Sequence, residues 1–451
     1  MFNQMFNRKN LKVILAGTFA LALTACAGGS SPSTGGGTAQ ATAAGGGATA
    51  PSAQRATIEI AYWEGSSADQ AGWETVLNSF DESHPEIEVI RTTYPSSTFR
   101  DQLATRLAAN DWPDVIRYQY QGLGRFKEAG VMLDLTDKID DESLADLIPA
   151  FLSAVQHEGR IVAMPHHTDT IALFYNIRMF EESGIRIPQH VYDGWTWEEW
   201  TDNARRLKAD HNLAYAFGGI WENTIAWRFM PFMYANGGRI LSDDLQSIVV
   251  NSPENLEVLQ MFETWRAEDL IVTTGFTQSQ QINTLFAAEQ VAFTFSGSWH
   301  SSFMEENLPG NWGVTYMPVS PIGITGSDMG GNAVFAHRGT SNPDAAATLI
   351  DYLTSAENMR AFCEAANFIP VRQSLIDEGM NYTNFQDEMN LFLEIVATVD
   401  PVMASHMTST RFRELNLVFA QEMDPLAIDG SATAQQVLDR LQTLMTQVLN
   451  D

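Results

Sequence analysis

The stretch that decides the fold is TIEIAYWEGSSADQAGWETVLNSFDESHPEIEVIRTTYPSSTFRDQLATRLAANDWPDVI, residues 57–116. Its first seven residues show the alternation that is typical of a β-strand, and residues 87–90 and 115–116 are strand-like as well. Between them, apolar residues at helical spacing predict one helix from Ser66 and a second from Thr98 to Asn110. Strand, helix, strand, helix, strand predicts parallel strands joined by right-handed crossovers. The predicted fold class is therefore α/β, with an open sheet.

Elements of both kinds continue along the rest of the chain. Strand-like apolar runs occur at residues 161–165, 170–175 and 291–295. Helical spacing occurs at residues 197–208, with Thr196 as the expected N-cap, at 253–267, at 342–354 and over most of 388–449.

Composition excludes several classes of protein. The 451 residues include 55 acidic and 26 basic side chains, a formal net charge of −29, whereas nucleic-acid binding requires clustered cations. Hydrophobic residues make up 45% and charged residues only 18%, so the acidity does not indicate disorder. Two cysteines are too few for a disulfide framework or a four-cysteine zinc site. The length suggests two or three domain-sized lobes.

The amino terminus has the pattern of an export signal. Three basic residues precede an apolar run over 13–23, and Leu-Thr-Ala-Cys follows at 23–26. The run is short for a membrane-spanning helix, and the tetrapeptide resembles the bacterial lipobox, whose cysteine becomes the lipidated first residue. We therefore expect a signal peptide at 1–25 and a lipid on Cys26, which leaves Cys363 as a free, buried or semi-buried thiol.

A low-complexity segment separates this signal from the folded part. Residues 26–55 are almost entirely small or polar, so we expect a flexible linker that spans roughly 30 Å on average. The signal removes three cations and no anion, so the mature chain has a charge close to −32. An anionic membrane surface repels such a chain, and attachment must come from the lipid.

Candidate site residues lie near the predicted carboxyl ends of strands, where open α/β sheets bind ligands. They combine aromatic rings with planar polar groups, which suits a neutral sugar, because a ring stacks on its C–H face while carboxylates and amides bind its hydroxyls. The candidates in this position are Trp63, Glu64, Tyr118, Gln121, His167, Asp169, Trp221, Glu222, Trp299, Gly331 and Asn332. Packing in the core is the alternative for each aromatic candidate.

His166, His167 and Asp169 together suggest a metal site. The spacing offers at most three ligands, and no second cluster of histidine or cysteine lies nearby in the sequence. We therefore expect neither a metal nor another cofactor.

Six segments in order resemble landmarks of the family-1 extracellular solute-binding proteins of bacterial ABC importers. They are Ile60–Trp63, Leu103–Ile116, Phe174–Trp200, Ala235–Gly238, Gly297–Trp299 and Asn367–Arg372. The resemblance covers nearly all of 57–451 and implies two α/β lobes with hinge crossings near 167–173 and 325–333. Closure of the hinge on a ligand held between the lobes is also implied. The landmarks add Trp227 and Arg372 to the candidate ligand-binding residues.

The resemblance also implies domain limits. After the expected signal peptide at 1–25 and linker at 26–55, it implies an N-lobe of 56–168 plus 333–375 and a C-lobe of 169–332 plus 376–451.

The function that the resemblance implies is binding without catalysis. We expect a monomeric, extracytoplasmic lipoprotein on the outer face of the cell membrane that captures a mono- or oligosaccharide and delivers it to an ABC transporter permease. The chain has no Walker loop, so the energy comes from a partner ATPase.

Two alternatives stay open. One is a secreted glycoside hydrolase that uses two of the carboxylates of Glu64, Asp169 and Glu222. The other is a binding protein for a non-sugar solute such as a polyamine or a peptide.

Overall fold

The computed structural model describes residues 55–219, 225–273 and 281–450, and of residues 225–227 and 281 it describes the backbone only. These residues belong to the compact unit Ala53–Asp451. The predicted signal peptide and Cys26 lie outside the described residues, as does the linker up to residue 54.

Eleven strands are formed by the described residues. In chain order they are β1 Ala56–Glu64, β2 Ile87–Pro95, β3 Val115–Gln119, β4 Gln156–His157, β5 Arg160–Ile161, β6 Met164–His167, β7 Ile171–Asn176, β8 Phe217–Gly219, β9 Phe293–Gly297, β10 Trp312–Thr315 and β11 Asn332–Ala336.

The first sheet has five strands in the order β2-β1-β3-β11-β6. β1 pairs in parallel with β2 and β3, which confirms the arrangement predicted from 57–116. β11 lies between β3 and β6 and is antiparallel to both. Because β11 runs the opposite way, its first residue, Asn332, lies opposite Gln119 at the carboxyl end of β3.

The second sheet has four strands in the order β10-β7-β9-β8. β7 is antiparallel to β9 and β10, and β8 is parallel to β9. β4 and β5 form a separate two-stranded hairpin. The chain therefore builds two distinct sheets, as the two-lobed prediction requires.

Helices surround both sheets. Among the described residues they are α1 Ser67–Ser83, α2 Phe99–Ala108, α3 Gly124–Glu128, α4 Asp141–Ala145, α5 Pro149–Val155, α6 Ile177–Glu182, α7 Trp197–Asp210, α8 Ile225–Ala235, α9 Pro253–Ala267, α10 Gln281–Ala287, α11 Ser301–Asn307, α12 Pro343–Thr354, α13 Ala356–Ala366, α14 Gln373–Glu378, α15 Gln386–Val396, α16 Pro401–Met407, α17 Phe412–Ala427 and α18 Ala434–Asn450. Single turns of 3₁₀-helix occur at Tyr120–Gly122 and Ser298–His300.

Caps that are readable in the sequence start several of these helices. The Ser66 hydroxyl accepts the Asp69 N–H at the start of α1. Thr196 caps α7 as predicted, and with Glu199 it forms a capping box in which each side chain accepts the other residue's backbone N–H. The cap fixes where α7 begins, and the buried Trp200 of that helix then packs in the core.

The chain passes between the two sheets at segments that lie side by side. It leaves β6 for β7 across residues 168–170 and returns from β10 to β11. The Gly330 N–H donates to the Asp169 carbonyl at 3.0 Å, and Thr168 exchanges two backbone hydrogen bonds with Ile369. Gly331 has φ of +82°, and a Cβ there would overlap the backbone of the first crossing. These segments include the positions near 167–173 and 325–333 at which crossings are expected, while a hinge motion there and the lobe limits stay predictions.

Several strand predictions were inexact. Gly331 and Asn332 were expected after a strand, but they precede and open β11. The predicted strand 161–165 is split, because β5 ends at Ile161 and β6 begins at Met164. β3 extends to Gln119, beyond the strand predicted at 115–116. The prediction stopped short because the charged Arg117 interrupts the apolar run.

Three further findings concern the described residues as a whole. Cys363 is a free, fully buried thiol, as predicted. Within these residues no helix is both long and apolar enough to span a bilayer. The same residues contain no group of three or more histidine, cysteine or acidic side chains that is arranged to hold a metal ion.

Candidate ligand-binding cleft

A cleft of about 720 Å³ opens where residues of the two sheets approach each other beside the crossings. The first sheet and its connections contribute Trp63, Ser66, Asp69, Arg100, Arg117 and Gln121 to the lining, and β11 contributes Asn332. The second sheet and its helices contribute Arg228, Asn283, Trp299, His300 and Phe303. The crossings themselves contribute Asp169, Gly330 and Gly331. The cleft therefore joins both halves of the fold.

Arg117 organises the floor of the cleft on the first-sheet side. It lies within β3, its side chain is only 1% exposed, and its Nη1 donates to the Trp63 carbonyl at 2.7 Å and to Asp69 Oδ2 at 2.9 Å. Its guanidinium also lies 4.4 Å from the centre of the Trp63 ring. These contacts fix the Trp63 indole at the cleft through a cation–π interaction and through its own backbone.

His167 lies behind this floor rather than in the lining. Its Nε2 is 2.9 Å from Arg117 Nη2 and 2.9 Å from the side-chain amide of Asn332. Burial, with a smaller effect of Arg117, lowers the pKa of His167 well below its usual value, so the imidazole is neutral. His166 is also buried and neutral, and it stacks on Trp73.

Trp299 lines the cleft from the second sheet. β9 ends at Gly297, and the following 3₁₀ turn presents the partly exposed indole to the cleft. Arg228 of α8 places its guanidinium 5.1 Å from the centre of this ring. Trp63 and Trp299 thus bring one aromatic ring from each half of the fold to the same cleft.

Asp169 lies at the first crossing and is partly exposed to the cleft. Burial of the carboxyl group and the neighbouring Asp328 raise its pKa to about 7, while Arg228 and the Gly331 N–H act in the opposite direction. Near neutral pH this carboxyl group exists in both forms, so it donates or accepts a hydrogen bond according to what faces it.

His300 is a neutral polar group on the second-sheet side. Its Nδ1 lies 2.7 Å from the Ser296 hydroxyl, and its Nε2 lies 3.0 Å from the Asn283 amide nitrogen. Burial lowers the pKa of His300 to about 4. The sequence interpretation missed His300, although it directly follows Trp299.

Six of the predicted site residues come together in the lining. They are Trp63, Gln121, Asp169, Trp299, Gly331 and Asn332. Gln121 also donates to the Met329 carbonyl at 2.6 Å and so links the first sheet to the second crossing segment. Trp221 and Glu222 lie outside the described residues, as does the side chain of Trp227.

The other predicted site residues lie away from the lining. Glu64 ends β1 outside it, and Tyr118 is buried with its hydroxyl 2.8 Å from Arg125, which is the packing role that the sequence left open. Arg372 is 2% exposed and donates to the Thr354 and Ser143 carbonyls at 2.8 and 2.9 Å. Those bonds join its guanidinium to the protein interior rather than to the cleft.

The residues that sequence reasoning missed are mainly charged. Arg117 interrupts the strand VIRYQ, and Arg228 is the single charge in the helix IAWRFMPFMYA. A charged side chain inside an otherwise apolar element requires a buried partner, and this signal could have identified both. Their partners, Asp69 and Asp328, carry no such signal in the sequence.

The chemistry of the cleft suits a polar ligand with an apolar face. The lining contains two indole rings, side-chain amides, the Asp169 carboxyl group with its pKa of about 7, and the neutral imidazole of His300. The carboxylate of Asp69 is bound by Arg117 and by the Gly65 N–H at 2.9 Å each. Two linked α/β lobes thus share a polar, aromatic cleft at their crossings, which is the arrangement of a ligand-binding site.

Comparison with known proteins gives the family. The sequence pattern of the bacterial extracellular solute-binding proteins matches residues 64–360, and the chain belongs to this family. A binding protein of Brucella abortus (strain 2308) is 23% identical over 405 residues, which cover 87% of this chain and 96% of the relative.

Solved structures share the fold. The GacH receptor of Streptomyces glaucescens, solved unliganded and with acarbose, matches with a TM-score of 0.73 at 20% identity. The matched region covers 88% of this chain and 99% of the receptor chain. The cyclic α-maltosyl-1,6-maltose binding protein of Arthrobacter globiformis matches with a TM-score of 0.75 at 18% identity. The matched region covers 87% of this chain and 98% of that protein's chain.

Proposed function

We propose that the protein captures an oligosaccharide in the cleft between its lobes and delivers it to the permease of an ABC transporter, without catalysing a reaction. The observation that carries this proposal is the pair of indoles, Trp63 and Trp299, which line one cleft from opposite sheets. Two such rings can hold the C–H faces of a sugar chain while amides and carboxyls bind its hydroxyls. Of the structural neighbours named above, one was solved in complex with acarbose and the other is a cyclic α-maltosyl-1,6-maltose binding protein.

The test is a thermal-shift and calorimetry screen of the folded chain with maltotriose, maltotetraose and acarbose. A ligand at about a hundred times its Kd stabilises the protein by about 2.7 kcal/mol, which is readily measured. Spermidine and a short peptide test the alternatives. Stabilisation by either of these, with none by any sugar, would contradict the carbohydrate proposal.

Variants of the two indoles make the test specific to the cleft. Trp299→Ala and Trp63→Ala are each expected to weaken sugar binding by about tenfold or more, as for a buried aromatic anchor. Trp112→Ala is the matched control, since Trp112 is also partly exposed but stacks on His337 outside the cleft lining. An equal loss of affinity in all three variants would mean that general destabilisation causes the effect.

A hydrolase would turn over what it binds. The Asp69 carboxylate is already bound by Arg117, and Glu64 lies outside the lining, so the described residues do not present two free carboxyl groups. Prolonged incubation with each sugar that binds, followed by chromatography, is expected to recover it intact. Release of shorter products would overturn the binding-only proposal.

Attachment and location form a separate part of the proposal. We infer that the mature chain begins at a lipidated Cys26 and is held on the outer face of the cell membrane by that lipid, with an N-lobe of 56–168 plus 333–375 and a C-lobe of 169–332 plus 376–451. Labelled palmitate is expected to enter the protein in cells, and Cys26→Ser is expected to abolish labelling and release the chain from membranes. Labelling that persists in Cys26→Ser would refute this attachment site.

A further inference from the structure

The Trp299 indole is held from two sides. A Cβ on Gly297 would overlap its six-membered ring, so the ring occupies space that only glycine leaves free. Arg228 lies 5.1 Å from the ring centre, within the range of a cation–π contact. The ring is therefore placed by its neighbours rather than by its own rotamer preference alone.

Arg228 is in turn tied to the crossings between the lobes. Its Nη1 donates to Asp328 Oδ2 at 2.5 Å, and both side chains are buried. Asp328 Oδ1 accepts the backbone N–H of Ile171 at 3.1 Å, and Ile171 is the first residue of β7 after the first crossing. Asp328 itself lies in the segment that leads to β11. One continuous chain of contacts thus runs from the indole to both crossings.

A buried ion pair at this place suggests a geometric role. Apolar residues of similar volume often give equal or greater stability than a buried pair. A guanidinium, however, can present one edge to a carboxylate and its flat face to an indole at the same time.

We propose that Arg228 and Asp328 are positioning residues, whose ion pair holds the Trp299 indole in the cleft and couples its orientation to the two lobe crossings. This inference rests on the proposed function, in which Trp299 is the surface on which the ligand stacks. A rotation of the lobes about the crossings then moves this surface, and a ligand stacked on it favours one arrangement of the lobes.

The test uses the double variant Arg228→Met/Asp328→Asn, which removes both charges so that neither is left buried alone. All tryptophans are replaced biosynthetically by 5-fluorotryptophan, and the Trp299 fluorine signal is identified by its absence in Trp299→Phe. The matched control is Arg205→Met/Glu268→Gln, which removes an exposed two-bond ion pair of the second sheet's helices.

In the ligand-free protein, the double variant is expected to shift and broaden the Trp299 signal, whereas the control leaves it in place. Asp328→Asn alone preserves side-chain shape and serves as a second variant if the double variant does not fold. An unmoved Trp299 signal in whichever of these variants folds overturns the inference, and so does an equal movement in the control.

Titration with maltotriose separates this inference from the proposed function. Failure of the wild-type protein to bind any sugar in the screen counts against the proposed function, while the ligand-free fluorine signal still decides the positioning role. For a sugar that binds, the double variant is expected to lose about tenfold in affinity. The same change in a Trp299→Ala background is expected to cost nothing further, and a fully additive loss would refute action through Trp299.

Discussion

Lys127 gives the sharpest prediction about stability. Its side chain is buried, and its Nζ donates to the Ala154 carbonyl at 2.8 Å and the Thr408 carbonyl at 3.4 Å. These carbonyls lie at the carboxyl-terminal ends of α5 and α16, where helix dipoles favour a cation. No carboxylate among the described residues pairs with it, and burial lowers its pKa from 10.5 to about 7.

The sign of the effect follows from proton binding. Between about pH 7 and pH 10.5 the unfolded chain keeps the Lys127 proton while the folded chain has lost it, so stability rises with pH. At about 1.4 kcal/mol for each pH unit of that interval, the free energy of unfolding increases by up to about 5 kcal/mol. Below that interval both states are protonated, and the full cost of the buried charge remains.

The perturbation is Lys127→Met, which keeps the aliphatic stem and removes the charge. Urea unfolding of both proteins from about pH 6 to about pH 10 is expected to show the variant more stable near neutrality, with a difference that shrinks as pH rises. Lys138→Met is the control, because Lys138 is partly exposed and pairs with Asp344 on the surface. A stability difference between wild type and Lys127→Met that does not change with pH would refute the reasoning.

Three further predictions concern the cleft and the core. The folded wild-type protein binds the Asp169 proton more tightly than the unfolded chain, so its free energy of unfolding is expected to fall as pH rises from 3.8 to about 7. Asp169→Asn is expected to abolish this fall. Parallel curves of stability against pH for the two proteins, measured by urea unfolding, would contradict the prediction. Gly297→Ala is expected to displace the Trp299 ring and to weaken sugar binding, measured by calorimetry, while the melting temperature changes little. An unchanged affinity would show that the ring tolerates a Cβ at this position. Cys363 is expected to react with a thiol reagent only after unfolding, since burial raises its pKa well above the usual value, and rapid reaction of the native protein would disprove its burial.

Local periodicity predicted the framework of the fold well. The bounds of α9, Pro253–Ala267, agree with the sequence prediction residue for residue, and α7 begins where Thr196 was expected to cap it. These elements carry their own start signals, a proline in the first turn and a capping side chain. Tertiary contacts are not needed to read them.

The sequence was less informative about β11. Gly330-Gly331 before Asn332 reads as the end of an element, and the short run NAVFA has no alternation. The strand forms because β3 and β6 flank it on both sides, and fully buried strands lack an exposed polar face.

The site was predictable only in part, for a related reason. Trp63 lies near the carboxyl end of β1 and Trp299 follows β9, so both could be found from the rule that α/β sheets bind ligands at the carboxyl ends of their strands. The ion pairs Arg117–Asp69 and Arg228–Asp328 join residues that are far apart in the sequence, so no local pattern specifies which acid meets which arginine. For Arg372 the error is the opposite one: its landmark position suggested a ligand contact, but the buried side chain donates to backbone carbonyls of the protein interior.

The central place of β11 in the first sheet has a consequence for biosynthesis. β3 and β6 are made early, but the strand that separates them emerges only after the whole second sheet has been made, roughly ten to thirty seconds later at about 5–20 residues per second. Until then the facing edges of β3 and β6 lack the strand that pairs with both, and the first sheet cannot be completed. A nascent chain in this condition exposes unpaired strand edges, which favour aggregation until β11 has been added.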